Sequence, residues 1–140
     1  MSAKIPVIVL DSFALLAYLG GEAGMKRVQE VMNAALQGRC RVVLSLINLG
    51  EVLYITEREV GLAQAHATLA AVEQLPIEML PVTKEYVLAS AHIKANYRVA
   101  YADAFAITTA LELEGSMLTG DPEFEPVETF IKIEWLADKP

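Results

Sequence analysis

Cysteine, histidine and aspartate are all scarce in this 140-residue chain, and each scarcity narrows what the protein is. The lone Cys40 has no partner for an internal disulfide, which excludes a disulfide-stapled miniature and leads us to expect a reducing, cytoplasmic setting. With His66 and His92 as its only histidines, the chain lacks the ligands of a zinc site. Long apolar runs are missing too. Ile5 to Leu10 and Phe13 to Leu19 are interrupted by Asp11 and stop at Gly20-Gly21, short of the roughly 18 residues a membrane span requires. Lys4 ahead of the first run imitates a secretory leader, but Asp11 breaks the apolar stretch and the sequence continues as ordinary domain. Repeats, low-complexity tracts and linker-like stretches are also absent, so residues 1–140 are expected to form one domain.

What is present is enough apolar material for a core: 54 % of residues are hydrophobic, 21 % are charged and mean hydropathy is +0.38. The net charge of −7 is uneven. Residues 1–100 hold nine basic and nine acidic residues, whereas residues 101–140 hold two and nine. That balance argues against a protein that coats DNA or membranes through a basic patch, yet leaves room for a nuclease that recruits divalent cations. Fourteen Glu stand against four Asp, namely Asp11, Asp103, Asp121 and Asp138. Glu suits solvated helix faces, while the shorter Asp is favoured where a carboxylate must sit close to backbone, at caps, turns and metal sites. Each Asp therefore needs its own account.

Hydrophobic periodicity gives the class. Strands are expected at Ile5–Leu10, Arg41–Leu44, Ile77–Val82 and Ser116–Thr119, with a possible fifth at Phe130–Ile133. Helices are expected at Phe13–Leu19, Met25–Leu36, Leu46–Val60, Leu62–Leu75, Lys84–Ala95 and Tyr101–Glu114, punctuated by Gly38, Gly61, Pro76 and Gly115. Apolar strands alternating with helices imply an α/β fold, an α/β/α sandwich around a parallel sheet of four to five strands. Ligands of such sheets bind outside the carboxyl ends of the strands.

Four acids fall at that edge. Asp11 follows the first strand, where it either caps the next helix or serves a site. Glu51 lies in LINLGEVLYI, a helix apolar nearly all round and expected to be largely buried, so its charge needs a partner: Arg58 two turns along, a raised pKa or a metal ion. Asp103 sits in the first turn of an Ala-rich helix, where capping competes with ligand binding and Ala102, Ala104 and Ala106 leave space. Asp121 repeats the placement of Asp11 after the fourth strand, in the turn LTGDPEF. Oxygen donors without His or Cys specify a hard cation, Mg²⁺ or Mn²⁺.

Taken together, these segments resemble the PIN-domain ribonucleases, and among them the VapC-type toxins of prokaryotic toxin–antitoxin pairs. IVLDSFAL, NLGEV, ADAFA and LTGDPEF, at residues 8–15, 48–52, 102–106 and 118–124, are similar to the family's acid-bearing motifs in order and spacing. The resemblance implies a PIN-like fold and a metal-dependent endoribonuclease with Asp11, Glu51, Asp103 and Asp121 as catalytic and metal-binding acids. Ser12 and Thr119 are candidates to hold those carboxylates through their hydroxyls. The resemblance also implies an RNA substrate, a cognate antitoxin and a homodimer. Lys26, Arg27, Arg39, Arg41 and Arg58 are the candidate RNA contacts, and Leu53 to Ile55 serve either as core or as antitoxin docking surface. A haloacid-dehalogenase-type phosphatase is disfavoured because Phe13 stands where that chemistry needs a second Asp. The remaining alternatives are an inactive PIN-like scaffold in which Arg58 satisfies Glu51, and a housekeeping RNA-processing nuclease.

Overall fold

The computed structural model describes residues 4–136, so Asp138 lies outside the described residues. Its first element, β1 (Val7–Leu10), shows why the strands read as unbroken apolar runs. Successive side chains point to opposite faces of the sheet, and both faces are covered. Val9 joins Val43 and Met117 in one core cluster, while Leu10 joins Val42, Leu44 and Leu118 in the other.

The chain continues through α1 (Ser12–Leu19), α2 (Met25–Leu36), β2 (Arg41–Ser45), α3 (Leu46–Val60), α4 (Leu62–Glu73) and β3 (Ile77–Leu80). It ends with α5 (Lys84–Asn96), α6 (Tyr101–Glu112), β4 (Ser116–Thr119), a 3₁₀ turn (Pro122–Val127) and β5 (Lys132–Trp135). The sheet order is β3-β2-β1-β4-β5, and every neighbouring pair is parallel. Helices α1 to α4 supply the core on one face and α5 with α6 on the other, which is the expected α/β/α arrangement. Because β1 lies beside β4 with Leu10 opposite Leu118, the carboxyl ends of these central strands bring Asp11 level with Thr119. Among the described residues no helix is long and apolar enough to cross a membrane.

Several boundaries differ from the sequence reading for identifiable reasons. The first strand begins at Val7 rather than Ile5, after Pro6, which has no N–H to give to a ladder. The last strand is Lys132–Trp135 rather than Phe130–Ile133. The N–H groups of Phe130 and Ile131 both bond back to the Val127 carbonyl, so sheet pairing begins only after that turn. Helix α6 stops where Glu114 turns left-handed at φ 51°, and Gly115 then passes so close to β1 that a Cβ would stand 2.8 Å from the Val7 carbonyl oxygen.

A larger correction concerns α3. Sequence periodicity predicts a helix buried nearly all round, but only Asn48, Leu49 and Val52 are fully buried. The face carrying Leu46, Gly50, Tyr54 and Glu57 is open to solvent, with Tyr54 half exposed. Apolar content registered how hydrophobic the helix is, whereas burial depends on which faces α1, α4 and α6 cover.

Candidate functional site

The site begins where β1 ends. Asp11 leaves the strand in extended conformation and caps α1, accepting the Ala14 N–H on Oδ1 at 2.8 Å. Its other oxygen accepts the Thr119 hydroxyl at 2.5 Å, and Thr119 Oγ1 in turn accepts the Asp121 N–H at 3.0 Å. One β4 hydroxyl thus ties the first acid to the backbone of the last. Asp11 is almost completely buried, and burial pushes its carboxyl up to about 7 in spite of these hydrogen bonds.

The other acids close in from three directions. Asp103, in the first turn of α6, is buried among Ala104, Phe105 and Ala106. Its carboxyl is also raised to about 7, first by burial and then by the charges of Asp11, Glu51, Asp121 and Glu123. Asp121 follows β4 and caps the 3₁₀ turn by accepting the Glu123 N–H at 2.9 Å. Glu51 reaches across from the second turn of α3, half-buried, and accepts the Ser12 hydroxyl. A small cleft of about 200 Å³ is lined by Asp11, Glu51, Asp103, Asp121 and Glu123, with Ser12, Phe13, Leu16, Ile55 and Ala100 completing the wall. Carboxylate oxygens of Asp103, Asp121 and Glu123 come within 4.8 Å of one another.

All four acids singled out in the sequence therefore share this cleft, and Glu123 is an addition. Glu123 lies in the LTGDPEF segment, but sequence reading assigned only Asp121 as its acid and left Glu123 with the other glutamates of the acidic C-terminal region. Only the turn started by Gly120-Asp121-Pro122 carries it back to Asp103. Asn48 also gained importance. Fully buried, it donates from Nδ2 to the Ala102 carbonyl at 3.0 Å and so fastens α3 to the start of α6, while its Oδ1 has no partner among the described residues. A second polar residue beside Glu51 on a largely apolar helix was the available signal.

Arg58 does not compensate Glu51. Its guanidinium lies over the Tyr54 ring, 5.1 Å from the centroid, on the exposed side of α3. Two further basic candidates are already paired, Arg27 with Glu134 and Glu30 and Arg41 with Glu78. Arg41 also opens β2 and so stands at the amino edge of the sheet, opposite the acids. No Lys or Arg lines the acid cleft or pairs with its five carboxylates among the described residues. Such a set of oxygen donors, two of them held in the protonation range of neutral pH by burial and mutual repulsion, fits a hard divalent cation.

The sequence model of the PIN domain matches residues 8–129. The chain belongs to the PIN domain family. Solved structures share the fold at low sequence identity. VapBC2 of Rickettsia felis, bound to a promoter DNA fragment, superposes with a TM-score of 0.70 at 12 % identity, covering 94 % of this chain and 99 % of that one. VapC20 of Mycobacterium tuberculosis, described as a toxin that cleaves the sarcin–ricin loop, gives 0.70 at 18 % identity, covering 94 % and 98 %. DNA-bound VapBC of Salmonella typhimurium gives 0.70 at 17 %, again covering 94 % and 98 %. Comparison with curated protein sequences gives no significant match. In PIN domain terms, the acids, the Thr119 and Ser12 hydroxyls and the Asn48 fastening lie in the matched region.

Proposed function

We propose that this PIN domain is a divalent-metal-dependent endoribonuclease that hydrolyses RNA phosphodiester bonds and acts as the toxin of a toxin–antitoxin pair. The convergence of five carboxylates in one cleft at the carboxyl edge of the sheet, with no basic counterion among the described residues, carries the reading. Close negative charges of this kind oppose folding unless a cation joins them. Asp11, Asp103 and Asp121 would be its direct holders, with Glu51 and Glu123 as ligands or as acceptors that orient water. Mg²⁺ or Mn²⁺, when bound, supplies Lewis-acid stabilisation of charge at the scissile phosphate and acidifies water at neutral pH.

The chain's own residues do the positioning. Thr119 and the Ala14 N–H fix both oxygens of Asp11, so its free lone pairs have a set direction. Ser12 fixes one oxygen of Glu51 and leaves the other available. His66 and His92 stand on the exposed sides of α4 and α5, outside the cleft, so proton handling falls to carboxylates and water. A cognate antitoxin, a homodimer and a cytoplasmic setting complete the proposal, supported by the family and by the VapBC complexes that share its fold.

The test is cleavage of labelled tRNA, rRNA fragments and single-stranded RNA by antitoxin-free protein in Mn²⁺, Mg²⁺ or EDTA, beside Asp103→Asn. Metal-dependent cleavage that EDTA and Asp103→Asn both remove supports the nuclease. Silence of the wild type, with no shift in melting temperature on adding Mn²⁺, moves the assignment to a PIN-fold scaffold.

A further inference from the structure

We propose that the apolar pocket next to the acid cleft binds an unpaired guanine base of the substrate, stacked on Phe13 and read by the Glu22 carboxylate. This rests on the nuclease reading and names the substrate feature recognised beside the scissile phosphate. Phe13 lies two residues after Asp11, in the first turn of α1, and its ring is seated on Gly120, the residue before Asp121. The seat requires glycine, since a Cβ at position 120 would stand 2.5 Å from Phe13 Cε1. Although held between two acid-bearing segments, the side chain is left 40 % exposed. Phe13 and Leu16 form a shared wall: on one side is the acid cleft, on the other a cavity of about 370 Å³ also bounded by Ala17, Gly120, Leu136 and Glu22.

The chemistry of that cavity selects its occupant. Apart from Glu22 its walls are apolar, no basic side chain lines it among the described residues, and Glu22 with the neighbouring acids repels phosphate. A flat, neutral ring fits, and unstacked nucleobases lie on exposed aromatic faces in this way. A nucleotide whose phosphate approaches the acids has its base within reach of the shared wall. Glu22 offers only acceptors, and a carboxylate is matched best by two parallel N–H donors. Guanine presents N1–H and N2–H side by side. Adenine and cytosine place a ring acceptor beside their amino group, and uracil flanks its N–H with carbonyls. In a duplex those guanine donors are occupied by cytosine, so the base must be unpaired.

Single-stranded oligonucleotides carrying one guanine, or adenine in its place, provide the test in Mn²⁺ with wild type, Phe13→Ala, Phe13→Tyr and Glu22→Gln. Cleavage is expected next to guanine. Phe13→Ala should lower kcat/KM roughly 5- to 150-fold, the range for loss of one stacked base, mainly through KM, and Phe13→Tyr should restore it. Glu22→Gln should abolish the preference for guanine over adenine with the melting temperature unchanged. A second readout needs neither metal nor turnover: guanosine, and not uridine, should shift the methyl NMR signals of Leu16 and Leu136. Equal kcat/KM for Phe13→Ala and wild type, or methyl signals unmoved by guanosine, overturns the proposal and leaves the pocket to another occupant. If the wild type cuts no RNA in either metal, the nuclease reading fails by itself, and the guanosine titration still decides the pocket.

Discussion

The two edges of the sheet treat charge in opposite ways. At the amino edge Arg41 forms a two-pronged pair with Glu78 across β2 and β3, with both bonds at 2.8 Å, and Lys4 lies 3.7 Å from Glu114. The Arg41 hydrogen bonds hold the Glu78 carboxyl below the usual range. At the carboxyl edge Asp11 and Asp103 are raised to about 7 by burial, and the Asp103 carboxyl faces four further carboxylates. One edge closes its charges within the chain, whereas at the other no Lys or Arg among the described residues meets the acids. Exposed pairs settle a surface, but buried like charges mark a place where stability has been traded for binding.

Removing one of the buried acids should give the largest effect. Asp103→Asn should lower metal-dependent cleavage by more than about 100-fold, beyond the 10- to 100-fold typical of groups that merely support a ligand. The same variant should melt higher than wild type at pH 8 in EDTA, because it deletes a repelled charge. Steady-state kinetics and calorimetric melts check the two halves. A variant that lost activity and melted lower would break the contrast between the edges.

Thr119→Val should come next. It removes the hydroxyl that holds Asp11 and accepts the Asp121 N–H, with little change in side-chain volume. Mn²⁺ affinity measured by isothermal titration calorimetry should fall about 10- to 100-fold. An unchanged affinity would show that Asp11 is held well enough by Ala14 and the helix it caps.

The pH dependence sharpens the comparison further. Asp11 and Asp103 bind protons more tightly in the folded chain, where each titrates at about 7, than at their ordinary value of 3.8. Their contribution therefore favours folding most below pH 4 and is lost as pH rises through 7. In EDTA the melting temperature should decline between pH 5 and pH 8, less steeply in Asp103→Asn. Saturating Mn²⁺ should reduce or reverse the decline, because a cation favours the charged forms.

The amino edge should respond least. Arg41→Ala should cost about 0.2–1 kcal/mol, as exposed pairs do, and less in high salt, with RNA cleavage unchanged. Denaturant titration at two salt concentrations measures it. Loss of cleavage in that variant would mean that RNA also reaches the far edge of the sheet.

Much of the fold could be read from the chain because its signals are local. Val7 to Leu10 is apolar since both of its faces are covered, and Gly61 stops a helix at φ 96°, a backbone geometry that distant residues do not alter. Asp11 and Asp121 stood out because one directly follows a buried strand and the other comes one glycine after a buried strand. Glu123 was hidden among similar acids, and the open face of α3 was masked by its apolar content. Both depend on what approaches from elsewhere.

By itself, then, the sequence determined the alternation of strands and helices, the parallel sheet and the edge at which acids accumulate, since periodicity and strand-end placement are properties of neighbouring residues. Tertiary structure decided the partners. Ser12 and not Arg58 meets Glu51, at a separation of 39 residues, and Thr119 holds Asp11 across 108. The Phe13 ring came to rest on Gly120 for the same reason: the order of strands brings β1 beside β4, and no local pattern records which distant segment a side chain will touch.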